Sequence, residues 1–178
     1  MLGNSENVIL QTILVPASYV LLINAAIFYE RLRISMIVRD MIKEDIPQLA
    51  QLYKQFWGED SSIDTMYIQF KKFQGNGSHL LLSAVEDNQL VGSVMGVVCE
   101  ELYGDCKSFL VLENMIVDKD HRNRGIGRAL ISELERRAAE KCNQIIFVTE
   151  ANRIDACNFY ESVGYRPEAY KGFKKKLK

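Results

Sequence analysis

Asn114-Met-Ile-Val-Asp118-Lys-Asp-His-Arg122-Asn-Arg124-Gly125-Ile-Gly127-Arg128-Ala-Leu130 is the stretch on which the reading of this 178-residue chain turns. Its opening residues close an apolar run from Ser108 to Asp118 that reads as a strand, and its last residues begin a helical period. In that period Ile126, Leu130, Leu134 and Ala138 recur one turn apart, which predicts an amphipathic helix over 126–141, with Glu133 and Arg137 able to pair along it. Between strand and helix lies a charged turn, with Gly125 and Gly127 at the mouth of the helix. A helix N-terminus carries unpaired N–H groups and a partial positive charge, and glycine removes the Cβ atoms that would keep an anion from the backbone. Arg122, Arg124 and Arg128 add positive charge where the helix dipole disfavours it. A bound anion relieves that conflict, so the turn is a candidate phosphate site.

Outward from this stretch the chain alternates the two periods. Ile37 to Arg39 reads as a short strand, Glu44 to Trp57 as a helix with Ile46, Leu49, Leu52, Tyr53 and Phe56 on one face, and Ser62 to Phe73 as a second helix. His79 to Glu86 and Gln89 to Glu101 are β-rich runs joined by the hairpin signal Asp87-Asn88. Downstream, Gln144 to Thr149 reads as a buried strand, Asp155 to Val163 as a short helix, and Tyr165 to Leu177 as a strand-like tail broken by Pro167. The expected fold is mixed α/β, with about six to seven strands in one sheet flanked by four helices, in the order β-α-α-β-β-β-α-β-α-β. No internal repeat or linker divides residues 36–178.

Two familiar phosphate motifs are absent: there is no G-x-x-x-x-G-K-S/T, and the glycine pair lacks both the G-x-G-x-x-G spacing and an acidic residue about 20 positions on. What remains, Arg122-Asn-Arg-Gly125-Ile-Gly127 after a strand ending in Val117-Asp118, resembles the central R/Q-x-x-G-x-G/A motif of the GNAT superfamily of N-acetyltransferases. Arg153-Ile-Asp-Ala156-Cys157-Asn-Phe-Tyr160-Glu161-Ser-Val-Gly164-Tyr165 is similar to the family's A-x-x-F-Y-E-x-x-G-F/Y segment. The order of elements also matches that fold, and the resemblance spans residues 36–178 and none of residues 1–35.

The resemblance implies that acetyl-CoA lies against the strand from Glu113 to Val117. Its pantetheine arm would bond backbone groups of Met115 and Val117, on either side of Ile116. Its pyrophosphate would meet the amides of Arg122, Asn123, Arg124, Gly125, Ile126, Gly127 and Arg128. Many members carry an asparagine where this chain has Arg153; Asn152, one place earlier, is the nearest equivalent and is carried as a cofactor contact. Tyr160 resembles the family's tyrosine beside the thioester sulfur, where a phenol with a reference pKa of about 10 can act as general acid. Glu113 is the expected general base: strict alternation puts it with Phe109, Val111, Met115 and Val117, apolar company that raises a carboxylate pKa. Glu150 is the reserve. Cys157 has no histidine near it in sequence and reads as packing, His121 as a solvated loop residue, and Lys171, Lys174, Lys175, Lys176 and Lys178 as a solvated strand edge.

Composition narrows the alternatives. With 22 basic against 23 acidic residues and a net charge of -1, no global field draws in nucleic acid. Cys99, Cys106, Cys142 and Cys157 form no C-x-x-C, and two histidines cannot complete a metal-ligand set, so no metal is expected. Free thiols suit a reducing compartment, and the domain reads as cytoplasmic. Residues 7–29 contain no charge and match the ~20 residues of a spanning helix. A membrane anchor leaving the domain in the cytoplasm, a stretch upstream of a true start at Met36, and an extra docked helix all remain open for residues 1–35. The expected activity is transfer of acetyl from acetyl-CoA to a primary amine on a small molecule or peptide, in a ternary complex. The alternative is an acyl-CoA-binding regulatory module without catalysis. The acceptor pocket is expected at the first two helices and the loop between them, from Gln55 through Thr65, where Glu59, Asp60 and Asp64 lend an acidic character that suits a cationic amine, or else serve only to cap and solubilise the second helix with Ser61 or Ser62 as N-cap. The C-terminal strand offers an edge through which two copies could pair as a homodimer.

Overall fold

The computed structural model describes residues 36–177, and in them the apolar runs become a five-stranded sheet whose spatial order follows the chain. β1 (Ile37–Asp40) leads through a 3-10 turn into α1 (Ile46–Trp57) and α2 (Ile63–Asn76). β2 (His79–Glu86), β3 (Gln89–Cys99) and β4 (Ser108–Val117) follow, then α3 (Ile126–Ala138), β5 (Cys142–Ile146) and α4 (Ile154–Ser162). β1 to β4 pair antiparallel, and β5 adds to β4 in parallel. Asp87 and Asn88 both take left-handed backbone, φ 54° and 61°, the conformation a two-residue hairpin requires. The apolar stretch at 8–29, on which the anchor reading rests, lies outside the described residues. Among the described residues no helix is long and apolar enough to cross a membrane.

Helices cover both faces of the sheet. On one, Leu130, Ile131 and Leu134 of α3 pack with Leu82, Val94, Leu110 and Leu112. On the other, Ile46, Leu49 and Leu52 of α1 and Phe70 of α2 pack with Val85, Leu90 and Ile116. Asp45, at the entrance to α1, is a buried charge that is fully partnered. Its carboxylate accepts from both terminal nitrogens of Arg39 (2.7 and 2.8 Å), the Ile42 amide (3.0 Å) and the Ser83 hydroxyl (2.8 Å). Burial pushes this carboxyl up, and those hydrogen bonds outweigh it and hold it below the ordinary aspartate value.

A bulge in β4 positions the site. Asn114 sits at φ 52°, and the β3–β4 register steps there from Met95↔Glu113 to Ser93↔Ile116. The extra residue reverses the alternation. Leu110 and Leu112 face α3, Ile116 faces α1 and α2, and Met115 and Val117 return to the α3 side. The opposite edge of β4 also opens, because its pairing with β5 ends at Val111↔Ile146. From Leu112 to Val117 that edge has no strand partner among the described residues.

Three expectations are corrected. The described sheet has five strands rather than six to seven. The tail forms no strand: residues 165–177 hold only a 3-10 turn at Pro167–Ala169, where proline removes a ladder donor, and Tyr170, Phe173 and Leu177 stay exposed among lysines. β5 occupies Cys142–Ile146 rather than Gln144–Thr149, because β4 turns away beyond Val111 and leaves Phe147 to Thr149 without a ladder.

Candidate active site

A cleft of about 700 Å³ lies between the free edge of β4, the start of α3 and one side of α4. Met115, Ile116 and Val117 line it from β4, Arg122, Asn123 and Gly125 from the turn, Ile126, Gly127 and Arg128 from α3, and Tyr160 from α4. Two sequence segments, ending at Arg128 and beginning at Arg153, thus converge on one cavity. Phe56 of α1 and Arg153 complete its far end.

α3 begins without a cap. Gly125 at φ +83° is its N-cap, no side chain bonds the first-turn amides, and the first turn holds no acidic residue. The Ala129 amide already closes on the Gly125 carbonyl at 3.0 Å, which leaves the N–H groups ahead of it as the orphan donors of a helix start. A Cβ on Gly125 would meet nothing within 4 Å, so the turn is open on that side. At Gly127 the opposite holds: a Cβ would stand 3.1 Å from the Phe159 ring and 3.2 Å from the Met115 methyl, and glycine lets α3, α4 and β4 close on one another. Arg128 reaches across to the Ser162 carbonyl at 3.2 Å, and Arg122 donates to the Val117 carbonyl at 3.3 Å.

The turn is latched from three elements. Asp118 accepts from the Asp120 amide (2.8 Å) and from Gln55 of α1 (3.2 Å), and it shares a hydrogen bond with His121 Nδ1 at 3.0 Å. Gln55 also accepts from the Lys119 amide at 3.0 Å. Burial pushes the Asp118 carboxyl up, and the His121, Asp120 and Gln55 hydrogen bonds bring it below its ordinary value. Glu86, at the end of β2, holds Arg124 at 2.7 Å and faces His121 at 3.7 Å. Arg124 is therefore a latch on Glu86 and does not line the cleft. His121, expected as a solvated loop residue, is half-buried between two carboxylates and does line it.

The Tyr160 hydroxyl donates to Met115 Sδ at 3.7 Å, and its ring packs on Phe147 at 4.4 Å between centroids. Burial raises its pKa above that of free tyrosine, and the charge of Arg153 draws it partly back. Glu113 stands elsewhere. Alternation from Leu110 and Leu112 puts it on the face of α1 and α2, opposite Met115 and Val117, and it is exposed and outside the cleft lining. The apolar surroundings expected of it do not exist, because the bulge at Asn114 intervenes. Asn152 and Glu150 are exposed and outside the lining, and Cys157 is half-buried in α4 away from it. None of Glu59, Asp60 and Asp64 reaches the cleft: Asp60 pairs with Lys54 at 2.8 Å, and it is Ser62 that caps α2. Among the described residues no group of histidines, cysteines and carboxylates could hold a metal ion.

A family model described as the acetyltransferase (GNAT) family matches residues 46–165, about two thirds of the chain. The chain belongs to the GNAT acetyltransferase family. Solved structures repeat the fold at low sequence identity. A transcriptional regulator from Bacillus halodurans C-125 matches at 22% identity with a TM-score of 0.72, covering 80% of this chain and all of its own. Glucosamine-6-phosphate N-acetyltransferase from Arabidopsis thaliana matches at 15% and 0.70, covering 81% of this chain and 98% of its own. An aminoglycoside N-acetyltransferase in complex with CoA matches at 19% and 0.67, covering 80% and 95%. Proteins so differently described share this backbone, so the GNAT fold alone does not choose the acceptor.

Within this GNAT domain the segment from Gln55 through Thr65, expected to shape the acceptor pocket, contributes Phe56 as a wall of the cleft. Gln55 stands outside the lining and instead holds the turn through Asp118 and the Lys119 amide, a partnership that a glutamine on an exposed helix position does not announce. Arg153 was visible as a departure from the family's asparagine, and that was the one available clue.

Proposed function

We propose that this protein transfers an acetyl group from acetyl-CoA to a primary amine, directly, within a ternary complex. The observation that carries the reading is the uncapped start of α3 facing the same cleft as the unpaired edge of β4 and Tyr160. The donor set fits acetyl-CoA. A pyrophosphate suits the amides of Ile126, Gly127 and Arg128, with Asn123 and Gly125 giving open backbone and Arg122 and Arg128 countering charge. The amides of a pantetheine arm require backbone partners, which the free edge at Met115 and Val117 supplies. When bound, acetyl-CoA supplies the acyl group already activated as a thioester.

The protein's own groups then orient and move protons. The amine nitrogen bonds to the carbonyl carbon as the carbon–sulfur bond breaks; the amine proton leaves to solvent water, and the Tyr160 hydroxyl gives its proton to the departing sulfur. Tyr160 suits that task, since it already donates to a sulfur atom and burial keeps it protonated at neutral pH. Glu113, exposed and outside the cleft lining, makes no contact that would give it the role of base.

The test is release of free CoA thiol from acetyl-CoA by the purified chain, with pooled amines, amino acids and short peptides. Amine-dependent release is expected. Tyr160→Phe keeps the ring packing and should lower kcat about a hundredfold or more, leaving the KM for acetyl-CoA unchanged. Acetyl-CoA binding with no release from any pool would favour a non-catalytic acyl-CoA-binding module instead.

A further inference from the structure

One cation of the cleft has no role in phosphate binding. Arg153, the residue before α4, holds its guanidinium carbon 4.6 Å above the Phe56 ring, and its charge reaches the Tyr160 hydroxyl. Among the described residues it forms no ion pair with a carboxylate. α4 fixes which end of the cleft it occupies. The last residue of that helix, Ser162, meets Arg128 at the start of α3, where phosphate is proposed to sit. At about 1.5 Å per residue, the nine residues of α4 carry the chain roughly 13 Å from there to Arg153. Arg153 therefore lies at the α1 end, beyond Tyr160, where an acceptor must approach the thioester.

A guanidinium held over a ring is anchored by its cation–π contact while its N–H fork can still grip a carboxylate or phosphate with paired hydrogen bonds. Asp155, two residues on, is the lone carboxylate lining the cleft among the described residues and suits the acceptor's ammonium before deprotonation. A polycationic acceptor would meet Arg153 with repulsion and find a single acid to bind.

We propose that the acceptor is a small amine that also carries an anionic group, carboxylate or phosphate, and that Arg153 binds that group. The proposal rests on the acetyl-transfer reading and deepens it.

The experiment compares amines that differ in the anion alone: phenethylamine with phenylalanine, ethanolamine with phosphoethanolamine, and spermidine as the polycation. Thiol release gives kcat and KM. Binding to the CoA-saturated protein is read from the fluorescence of Trp57, the chain's one tryptophan, whose ring lies 4.8 Å from that of Phe56. In the wild type one anion-bearing partner is expected to be favoured about tenfold or more, and which pair responds distinguishes carboxylate from phosphate. Arg153→Met should erase the preference through acceptor KM and leave acetyl-CoA affinity unchanged, while Arg153→Lys should retain part of it. The proposal is overturned if the preference survives in Arg153→Met, if the amines without an anionic group or spermidine are preferred, or if no anion-bearing probe changes the fluorescence. It is equally overturned if Arg153→Met weakens acetyl-CoA rather than the acceptor. Calorimetric titration of acetyl-CoA on the same samples separates the two readings. No acetyl-CoA binding sinks the transferase reading, whereas intact binding without anion preference sinks the Arg153 proposal alone.

Discussion

Replacing Gly125 with alanine isolates the backbone contribution to cofactor binding. Its φ of +83° is left-handed, and a Cβ there meets nothing within 4 Å, so the methyl clashes with no neighbour and acts through the torsion alone. Holding alanine in that region costs about 1–2 kcal/mol. The chain either bears that strain or relaxes the turn, which swings the Ile126, Gly127 and Arg128 amides off their aim. Gly104 is the control: its φ is +58°, its Cβ position is also open, and it lies in the loop between β3 and β4, outside the cleft. Gly104→Ala should lose about 1–2 kcal/mol in urea unfolding, and Gly125→Ala less than that, because its free turn relaxes the strain. Only Gly125→Ala should weaken acetyl-CoA in a calorimetric titration, by about 5–30-fold if the strain is relieved on unbinding. Gly125→Asn, which tolerates the left-handed region, should recover most of the affinity. A Gly125→Ala protein that unfolds like the wild type and also binds acetyl-CoA like the wild type would refute the argument that α3 amides hold the pyrophosphate.

Other consequences are measurable without a substrate. At Gly96 a Cβ would stand 2.8 Å from a Leu110 methyl and 2.9 Å from a Leu134 methyl, both on fully buried side chains, so Gly96→Ala should cost about 1–3 kcal/mol and lower Tm. An unchanged melt would mean that α3 packs less tightly on β3 than described. Asp45→Asn should cost about 2–3 kcal/mol at pH 7, below the range for breaking a fully buried pair because the Arg39 side chain is 31% exposed. Because the native carboxyl titrates below its ordinary value, its contribution is whole above the unfolded pKa and fades as pH falls through the native one. The gap between wild type and Asp45→Asn should therefore be full at neutral pH and narrow below about pH 4; a gap independent of pH would contradict the network at Asp45.

Much of this architecture was legible because period and punctuation agree. The helical spacing of Ile46, Leu49 and Leu52, the Asp87-Asn88 hairpin, and the glycines opening α3 each encode a local choice that packing then confirms. What escaped was set by distant partners. Three arginines of the turn look alike in sequence, yet Glu86, thirty-eight residues upstream, takes Arg124 out of the cleft. A single asparagine in an apolar run does not announce a left-handed bulge, and that bulge at Asn114 decides that Met115 and Val117 face α3 while Glu113 does not. The lysine-rich tail carried a strand's spacing, but spacing alone supplies no edge to pair with.

Hydrogen exchange with and without acetyl-CoA tests the central claim most directly. The account predicts slowed exchange at the amides of Ile126, Gly127 and Arg128 and along Met115 to Val117, with the β2–β3 hairpin and α2 unaffected. Binding that protects neither segment, or that protects a different face of the sheet, would contradict it.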